Sequence, residues 1–328
     1  MKPQNLVTVI IPTYNYAHYI QEAIDSVLNS NFPQEEIEII VIDDGSKDNT
    51  FDIVAAYGSR VKYIFQDNAG KAWATKVGIN HSQGKYIFNL DADDLFLPNK
   101  ISEVVKIFES DPEMVHVAHP AICWQVEKDV KTPELLPQNI LGHKLYGREL
   151  LRFFYTRNIL FGGGSTFAGR REALRKFSIP KQVDMYIDEY LVMCTLNQGY
   201  SYFINSPLSI WRIHGNNFSD AFDPSVYEVK MRRSFNSIEA VLNNLEGFDQ
   251  YIFSLYYLKL KIFNIAVKEK LNNKKFSDIV DMWLFFITHF NFLSKDYLRV
   301  IKAYTLLNRS VPTSALNVMK QMKARFTI

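Results

Sequence analysis

Cysteine is nearly absent from this chain. Among 328 residues there are two, Cys123 and Cys194. Neither sits in a Cys-x-x-Cys or Cys/His spacing, which excludes a disulfide framework and a cysteine-based zinc site, and a reducing compartment fits better. Long apolar runs are missing too. No uncharged stretch reaches the roughly 20 residues that a spanning helix needs. The best candidate, Met282 to Leu293, is short and interrupted by His289 and Asn291. Gly-x-x-x-x-Gly-Lys-Ser/Thr and Gly-x-Gly-x-x-Gly do not occur in the N-terminal half, so the glycine-rich phosphate cradles are excluded there. A strong charge of one sign is also lacking. The formal net charge is +2, and nothing calls for a nucleic-acid partner. The start, Met1 to Asn5, leads straight into a strand pattern without a secretory signal. The expectation is a cytoplasmic protein, with the inner face of the membrane as the alternative place of contact.

The charge is nevertheless uneven. Residues 1–220 hold 21 Lys+Arg against 26 Asp+Glu, and residues 221–328 hold 16 against 9. An acidic front and a basic tail suggest two regions with different partners. The front alternates strand and helix patterns. Leu6 to Ile11 is a continuous apolar run, as in a strand covered on both faces, and Pro12 to Tyr16 ends it. Ile20, Ala23, Ile24, Val27 and Leu28 follow at helix-face spacing. A second strand, Ile37 to Ile42, runs into Asp43-Asp44-Gly45-Ser46. Such a βαβ unit brings its loops to one sheet edge, so Pro12–Asn15 and Asp43–Ser46 are expected to meet. Asp48-Asn49-Thr50 caps a helix to about Tyr57. Val61 to Phe65 reads as a third strand, and Ala72 to Asn80 as a helix.

The stretch the rest is organised around is Leu90-Asp91-Ala92-Asp93-Asp94. It follows Lys85 to Asn89, read as a strand that ends at Asp91. Alternation along an extended chain then puts Asp91 and Asp93 on one side. Two oxygen donors at a strand end suit a hard divalent cation that shares its remaining positions with a phosphate. In open α/β sheets, ligands sit outside the carboxyl ends of the strands. Tyr14 is then placed to stack on a base. Asp43 or Asp44 can accept from a pyrimidine N–H, and Lys71 can pair with a phosphate.

Four motifs in order carry a resemblance. They are Val9-Ile10-Ile11-Pro12-Thr13-Tyr14-Asn15, Val41-Ile42-Asp43-Asp44-Gly45-Ser46 with Asn49-Thr50, Asn68-Ala69-Gly70-Lys71, and Leu90-Asp91-Ala92-Asp93-Asp94. Together they resemble the family 2 glycosyltransferases. The resemblance implies an α/β GT-A fold, a Rossmann-like mixed sheet with flanking helices, and inverting transfer of a sugar from a nucleotide diphosphate. UDP is the default nucleotide, with GDP and dTDP as alternatives. It implies that Pro12, Thr13, Tyr14, Asp43 and Asp44 hold base and ribose, with Asn15, Asn68 and Lys71 lining the same donor site. Asp91 would lie by the ribose or diphosphate, next to Ala92, and Asp93 would ligate Mn²⁺ or Mg²⁺. Where many members carry Ala-Arg-Asn, this chain has Ala74-Thr75-Lys76, so Lys71 or Lys76 is the expected substitute at the diphosphate.

The resemblance also implies a general base at Asp188, counted back from Gly199-Tyr200 in a helix that opens at Asp184, although Ile187 stands where the family usually has Glu; Glu189 is the runner-up, with Asp184 behind it. A sugar hydroxyl is a poor nucleophile, and a carboxylate must take its proton as it attacks. Pro207 to Ser219 resembles the family's Tyr-Arg-x-His-Gly-Asn-x-x-Ser ending, with Trp211 for the tyrosine. His214 then reaches diphosphate or metal, or is structural. Arg212 divides between phosphate and an ion pair. Gly163, in the run Phe161 to Phe167, is expected beneath the acceptor, a glycan or lipid-linked hydroxyl. Lys100 to Phe108 and Gly147 to Tyr155 read as helices, Val115 to Ala118 and Ile122 to Val126 as strands, and Lys128 to Gly142 as a loop. The expected domains are a transferase domain over 1–220 and a helical region over 221–328. That second region suits packing, a homo-oligomer contact or a membrane surface. A nucleotidyltransferase and a non-catalytic binding protein on the same fold are the competing classes.

Overall fold

In a computed structural model, the described residues are 6–157, 160–181, 183, 187–214, 254, 276–277, 280 and 284. The chain divides into two compact units, Met1–Leu150 with Phe161–Glu246, and Leu151–Leu160 with Gly247–Ile328. The helices expected between Val226 and Arg325, Asp184, and the Gly215–Ser219 end of the closing motif lie outside the described residues.

The first unit is built on β1 (Val7–Thr13), every residue of which is buried. Its apolar run is covered on both faces. Ile10 receives Gly78 from one side, and Val7, Val9 and Ile11 join the main core on the other. β1 pairs in parallel with β2 (Ile37–Asp43) and with β4 (Tyr86–Asn89), and β3 (Lys62–Phe65) extends the same edge. Helix α1 (Ala17–Leu28) lies between β1 and β2 in the chain and buries Ala17, Ile20, Ala23, Ile24 and Val27, the stripe its spacing predicts. α2 (Thr50–Ala55) starts where Asp48 accepts from Thr50. α3 (Lys71–His81) starts at Gly70, whose φ of 91° is open to glycine at little cost.

Beyond β4 come β5 (Leu95–Phe96), α4 (Lys100–Ser110), β6 (Met114–Ala118), β7 (Ala121–Gln125), β8 (Val130–Pro133), β9 (Lys144–Tyr146) and α5 (Gly147–Arg157). They are followed by β10 (Ala168–Arg170), α6 (Arg171–Leu174), α7 (Ile187–Leu196), β11 (Tyr200–Phe203) and β12 (Ser209–Ile213). The main sheet runs β3-β2-β1-β4-β10-β6-β11-β9, and a second sheet runs β5-β12-β7-β8. β10 is antiparallel to both neighbours, so the sheet is mixed, as the resemblance implied.

Two readings need correction. Residues 128–142 are not all loop, since β8 pairs with β7 as an edge strand. All four of its residues are exposed, so no apolar alternation marked it. The strand before the acids stops at Asn89, not Asp91. Asp91 to Asp94 form a turn closed by the Asp94 N–H donating to the Asp91 carbonyl at 2.9 Å. The acids converge because the chain turns there, and alternation is not the cause.

Candidate active site

The sheet edge assembles through backbone bonds. The Asp44 amide donates to the Thr13 carbonyl at 2.9 Å, the Asn15 amide to Ser46 Oγ at 2.8 Å, and the Lys47 amide to Asn15 Oδ1 at 2.8 Å. The two loops do meet. Asn15 holds a φ of 57°, the left-handed region that asparagine tolerates better than most residues. Its side chain is thus spent on the loop. Pro12 and Thr13 are buried in β1, and Thr13 Oγ1 has no hydrogen-bond partner among the described residues. Tyr14 is 42% exposed at the tip.

Asp43 and Asp44 are both buried and both engaged by their own chain. Asp43 accepts from the Ser46 amide and the Tyr63 hydroxyl, each at 2.7 Å. Asp44 accepts from Gln66 Nε2 at 2.6 Å and from the Ala69 and Gly70 amides at 2.8 Å. Asp44 therefore ties the Asn68–Gly70 loop to β2 and fixes where α3 begins. Asn68 itself is exposed.

Lys71, the first residue of α3, carries that placement into the acids. Its ammonium lies 2.9 Å from Asp91 and 3.0 Å from Asp188. Asp188 is at the N-terminal turn of α7, far along the chain. Burial drives the Asp188 carboxyl above the ordinary range, Lys71 opposes that, and Asp91 adds to it. Its Oδ1 has no partner in hydrogen-bond geometry, although the Gly164 amide is near enough to favour the ionised form. Glu189, the runner-up, is buried. Gly163 explains the glycine run. A Cβ there would stand 3.1 Å from the Asp188 Cβ, closer than packed side chains ordinarily come.

The acid turn offers one oxygen each from Asp91, Asp93 and Asp94, all within 4.8 Å of one another. These hard donors fit a divalent cation. Burial and Asp91 raise the Asp93 carboxyl, while His214 Nε2, 3.2 Å away, lowers it. Asp94 is already committed: it is 3% exposed and accepts from the Arg212 amide at 3.0 Å. Ala92 is buried inside the turn. Arg212 is 2% exposed, with its guanidinium on the Asp93 carbonyl and on Glu22 at 2.9 Å. The structure thus places it as the brace of the acid turn, in the ion-pair role. Trp211, its neighbour, is 41% exposed. Lys76 is not at the acids, since its ammonium lies 4.3 Å over the Trp73 ring.

Sequence reasoning missed three contributors. Tyr16 is one: burial, Asp93 and Asp91 all push its phenol up, which marks a hydroxyl close to the acids. Ser165 braces the acid turn: its Oγ accepts from the Asp91 amide at 3.0 Å, and its side chain bonds the Asp94 carboxyl. Lys100 is fully buried, bonded to the Ser165 carbonyl and to Ser209 Oγ and lying 3.6 Å from the Phe96 ring centroid. Burial drives Lys100 and Asp94 each toward its neutral form; Asp94 and Asp91 oppose this at Lys100, while Asp91 and Asp93 add to it at Asp94. Tyr16 stood beside a motif and was legible by position. A lysine opening an amphipathic helix looks like a surface residue, and no signal in the sequence marked Lys100.

A mixed sheet whose parallel half ends in a buried acid turn, with a helix-borne carboxylate held opposite, defines a GT-A type of transferase. The family model for "Glycosyl transferase family 2" matches residues 8–178. An uncharacterized glycosyltransferase of Nostoc sp. is 32% identical over 247 residues, covering 73% of this chain and 74% of that one. The chain belongs to glycosyl transferase family 2. Chondroitin synthase of Pasteurella multocida is 36% identical over 115 residues, 34% of this chain and 12% of that protein. Among solved structures, residues 1–349 of S. aureus TarS, in complex with UDP-GlcNAc, share the fold with a TM-score of 0.57 at 16% identity, covering 93% of this chain and 90% of that one. No helix among the described residues is long and apolar enough to cross a membrane.

Proposed function

We propose that this transferase moves a sugar from a UDP-linked donor to a hydroxyl of a glycan or lipid-linked acceptor, with inversion at the anomeric carbon. The observation that carries the reading is the Lys71 ammonium held between Asp91 and Asp188 at 2.9 and 3.0 Å. It puts one carboxylate across from the acid turn, separated by a cation that a diphosphate can engage. A carboxylate placed to take the proton of the acceptor hydroxyl suits a single displacement. The solved relative with UDP-GlcNAc and the relative named for a glycan product support the donor and acceptor classes.

In this reading Tyr14 stacks on the base, and Thr13 Oγ1 finds there the partner it lacks. Pro12 shapes the strand end beneath. Asp43 and Asp44 hold the loops that frame base and ribose. Asp93, with His214 beside it, holds a divalent cation, Mn²⁺ or Mg²⁺, which when bound neutralises charge on the departing diphosphate. Lys71 pairs with the diphosphate and so shares its attraction between donor and base. Asp188 takes the proton of the acceptor hydroxyl, and Gly163 leaves room beside it.

The test is incubation with a panel of UDP-, GDP- and dTDP-sugars, followed by proton NMR. The expected result is slow hydrolysis of one donor class, faster with Mn²⁺ or Mg²⁺, in which an α-linked donor first yields the β sugar. Release of pyrophosphate from a nucleoside triphosphate and a sugar phosphate would show a nucleotidyltransferase. Neither reaction with any donor would show a binding protein.

A further inference from the structure

Away from the acids, the second half of α3 and the chain after α6 enclose an open groove of about 560 Å³. Lys76 and Asn80 form one wall, and Arg175, Lys176 and Ser178 the other. Among the described residues, no carboxylate lines it. Lys181 adds a further cation at the rim, 4.9 Å from the Trp73 ring centroid, while Lys76 lies 4.3 Å from the same ring. One indole therefore holds two ammonium groups near each other, and an aromatic face makes that tolerable. Arg175 has a simpler duty. It donates to the carbonyls of Asn80 and Ser82 at the end of α3, the place where a helix welcomes a cation. Lys76, Lys176 and Lys181 have no such duty, and among the described residues none pairs with a carboxylate.

The position of the groove is as informative as its charge. α3 begins at Lys71, which touches Asp188. Ser178, on the opposite wall, accepts from the hydroxyl of Tyr190, two residues beyond Asp188 on α7. Both walls are thus anchored at the same helix start. At 1.5 Å per residue along α3, Lys76 and Asn80 stand roughly 8 to 14 Å from Lys71. That distance is too long for the reacting hydroxyl and suits units further along the same acceptor.

We propose that this groove binds an anionic stretch of the acceptor glycan, one bearing carboxylate or phosphate groups, while its terminal hydroxyl reaches Asp188. The proposal rests on Asp188 being the base. Separated cations with no acid among them give an anion a net attraction that weakens with salt, and they give a neutral glycan nothing.

The test uses the full chain and three labelled probes of similar length: a neutral dextran fragment, the same fragment phosphorylated, and an oligogalacturonate. Fluorescence anisotropy is read at low and at high salt, with Lys176→Glu/Lys181→Glu as the variant. At least one anionic glycan is expected to bind, salt-sensitively, with the neutral fragment silent. The double variant is expected to bind it roughly tenfold more weakly, the scale of losing two exposed charge contacts. Donor hydrolysis is expected to be unchanged in the variant. Equal binding of neutral and anionic fragments overturns the proposal, as does anionic binding that the variant leaves intact. Retention on phosphatidylglycerol vesicles with neither anionic glycan bound also overturns it, in favour of a membrane surface. Absence of donor hydrolysis in the unaltered protein would instead sink the transferase reading, whatever the groove binds.

Discussion

Asp43 and Asp44 sit at the tip of one strand, and Asp93 and Asp188 a short way across the same edge, yet the protein treats the two pairs in opposite ways. The first pair is saturated by its own chain: Asp44 alone accepts three hydrogen bonds, two of them from backbone amides. The second pair is met by ionisable side chains, Lys71 at Asp188 and His214 at Asp93. Burial raises both carboxyls, and the groups that oppose it are a lysine side chain for Asp188 and a histidine for Asp93. Saturated carboxylates build loops. Carboxylates held by side chains, which can change partner, are placed to take a proton or a cation. Motif reading gave all four the same standing as site residues, and hydrogen-bond inventory separates them.

The contrast can be broken by substitution. The largest effect is expected at Asp188→Asn, with turnover lower by about 10²–10⁴-fold, the usual worth of a general base. UDP affinity, read by calorimetry, should stay within about twofold. Full turnover in that variant would remove the base assignment.

Next comes stability. Asp44→Ala strands three donors, and at about 1.5–3 kcal/mol for a bond to a charged group, partly offset by water, a loss of roughly 3 kcal/mol is expected on denaturant unfolding. Asp93→Asn should show no such loss. The folded carboxyl of Asp93 is raised, so its ionised form subtracts from stability at neutral pH and a neutral amide relieves that. Equal destabilisation by the two variants would erase the distinction between the pairs.

Tyr14→Ala should weaken UDP binding by about 1–3 kcal/mol, the range of one base stacked on an aromatic ring, while Tyr14→Phe keeps most of it. The smallest effect is a shift along the pH axis. Asp188 must be ionised to act, and its folded carboxyl is raised, so activity should fall as pH drops through a limb above the ordinary carboxylate range. Lys71→Met removes the charge that lowers that carboxyl, and the limb should move to higher pH. An unmoved limb would mean that Lys71 does not act on the base.

Much of this was legible in the residues. β1, β2 and α1 were readable because burial on both faces, or on one helical stripe, leaves a periodic trace, and the meeting of the two loops followed from βαβ handedness. The acid turn was legible as composition, although its geometry was not, because a turn and a strand end carry the same Asp-rich text. Three features left no trace. β8 is an exposed edge strand without alternation. Lys100 is buried by contacts from Ser165 and Ser209, which are distant in the chain. The partners of Arg212, Glu22 and the Asp93 carbonyl, are likewise distant in the chain. Long-range partners of charged residues are what a linear reading lacks.

The most direct measurement is electron paramagnetic resonance of Mn²⁺ titrated with the protein and UDP. With the unaltered chain, loss of the free-ion signal is expected once UDP is present. Asp93→Asn should restore that signal, and Asp188→Asn should not. A free-ion signal that Asp93→Asn leaves as low as in the unaltered protein would contradict the placing of the diphosphate at the acid turn.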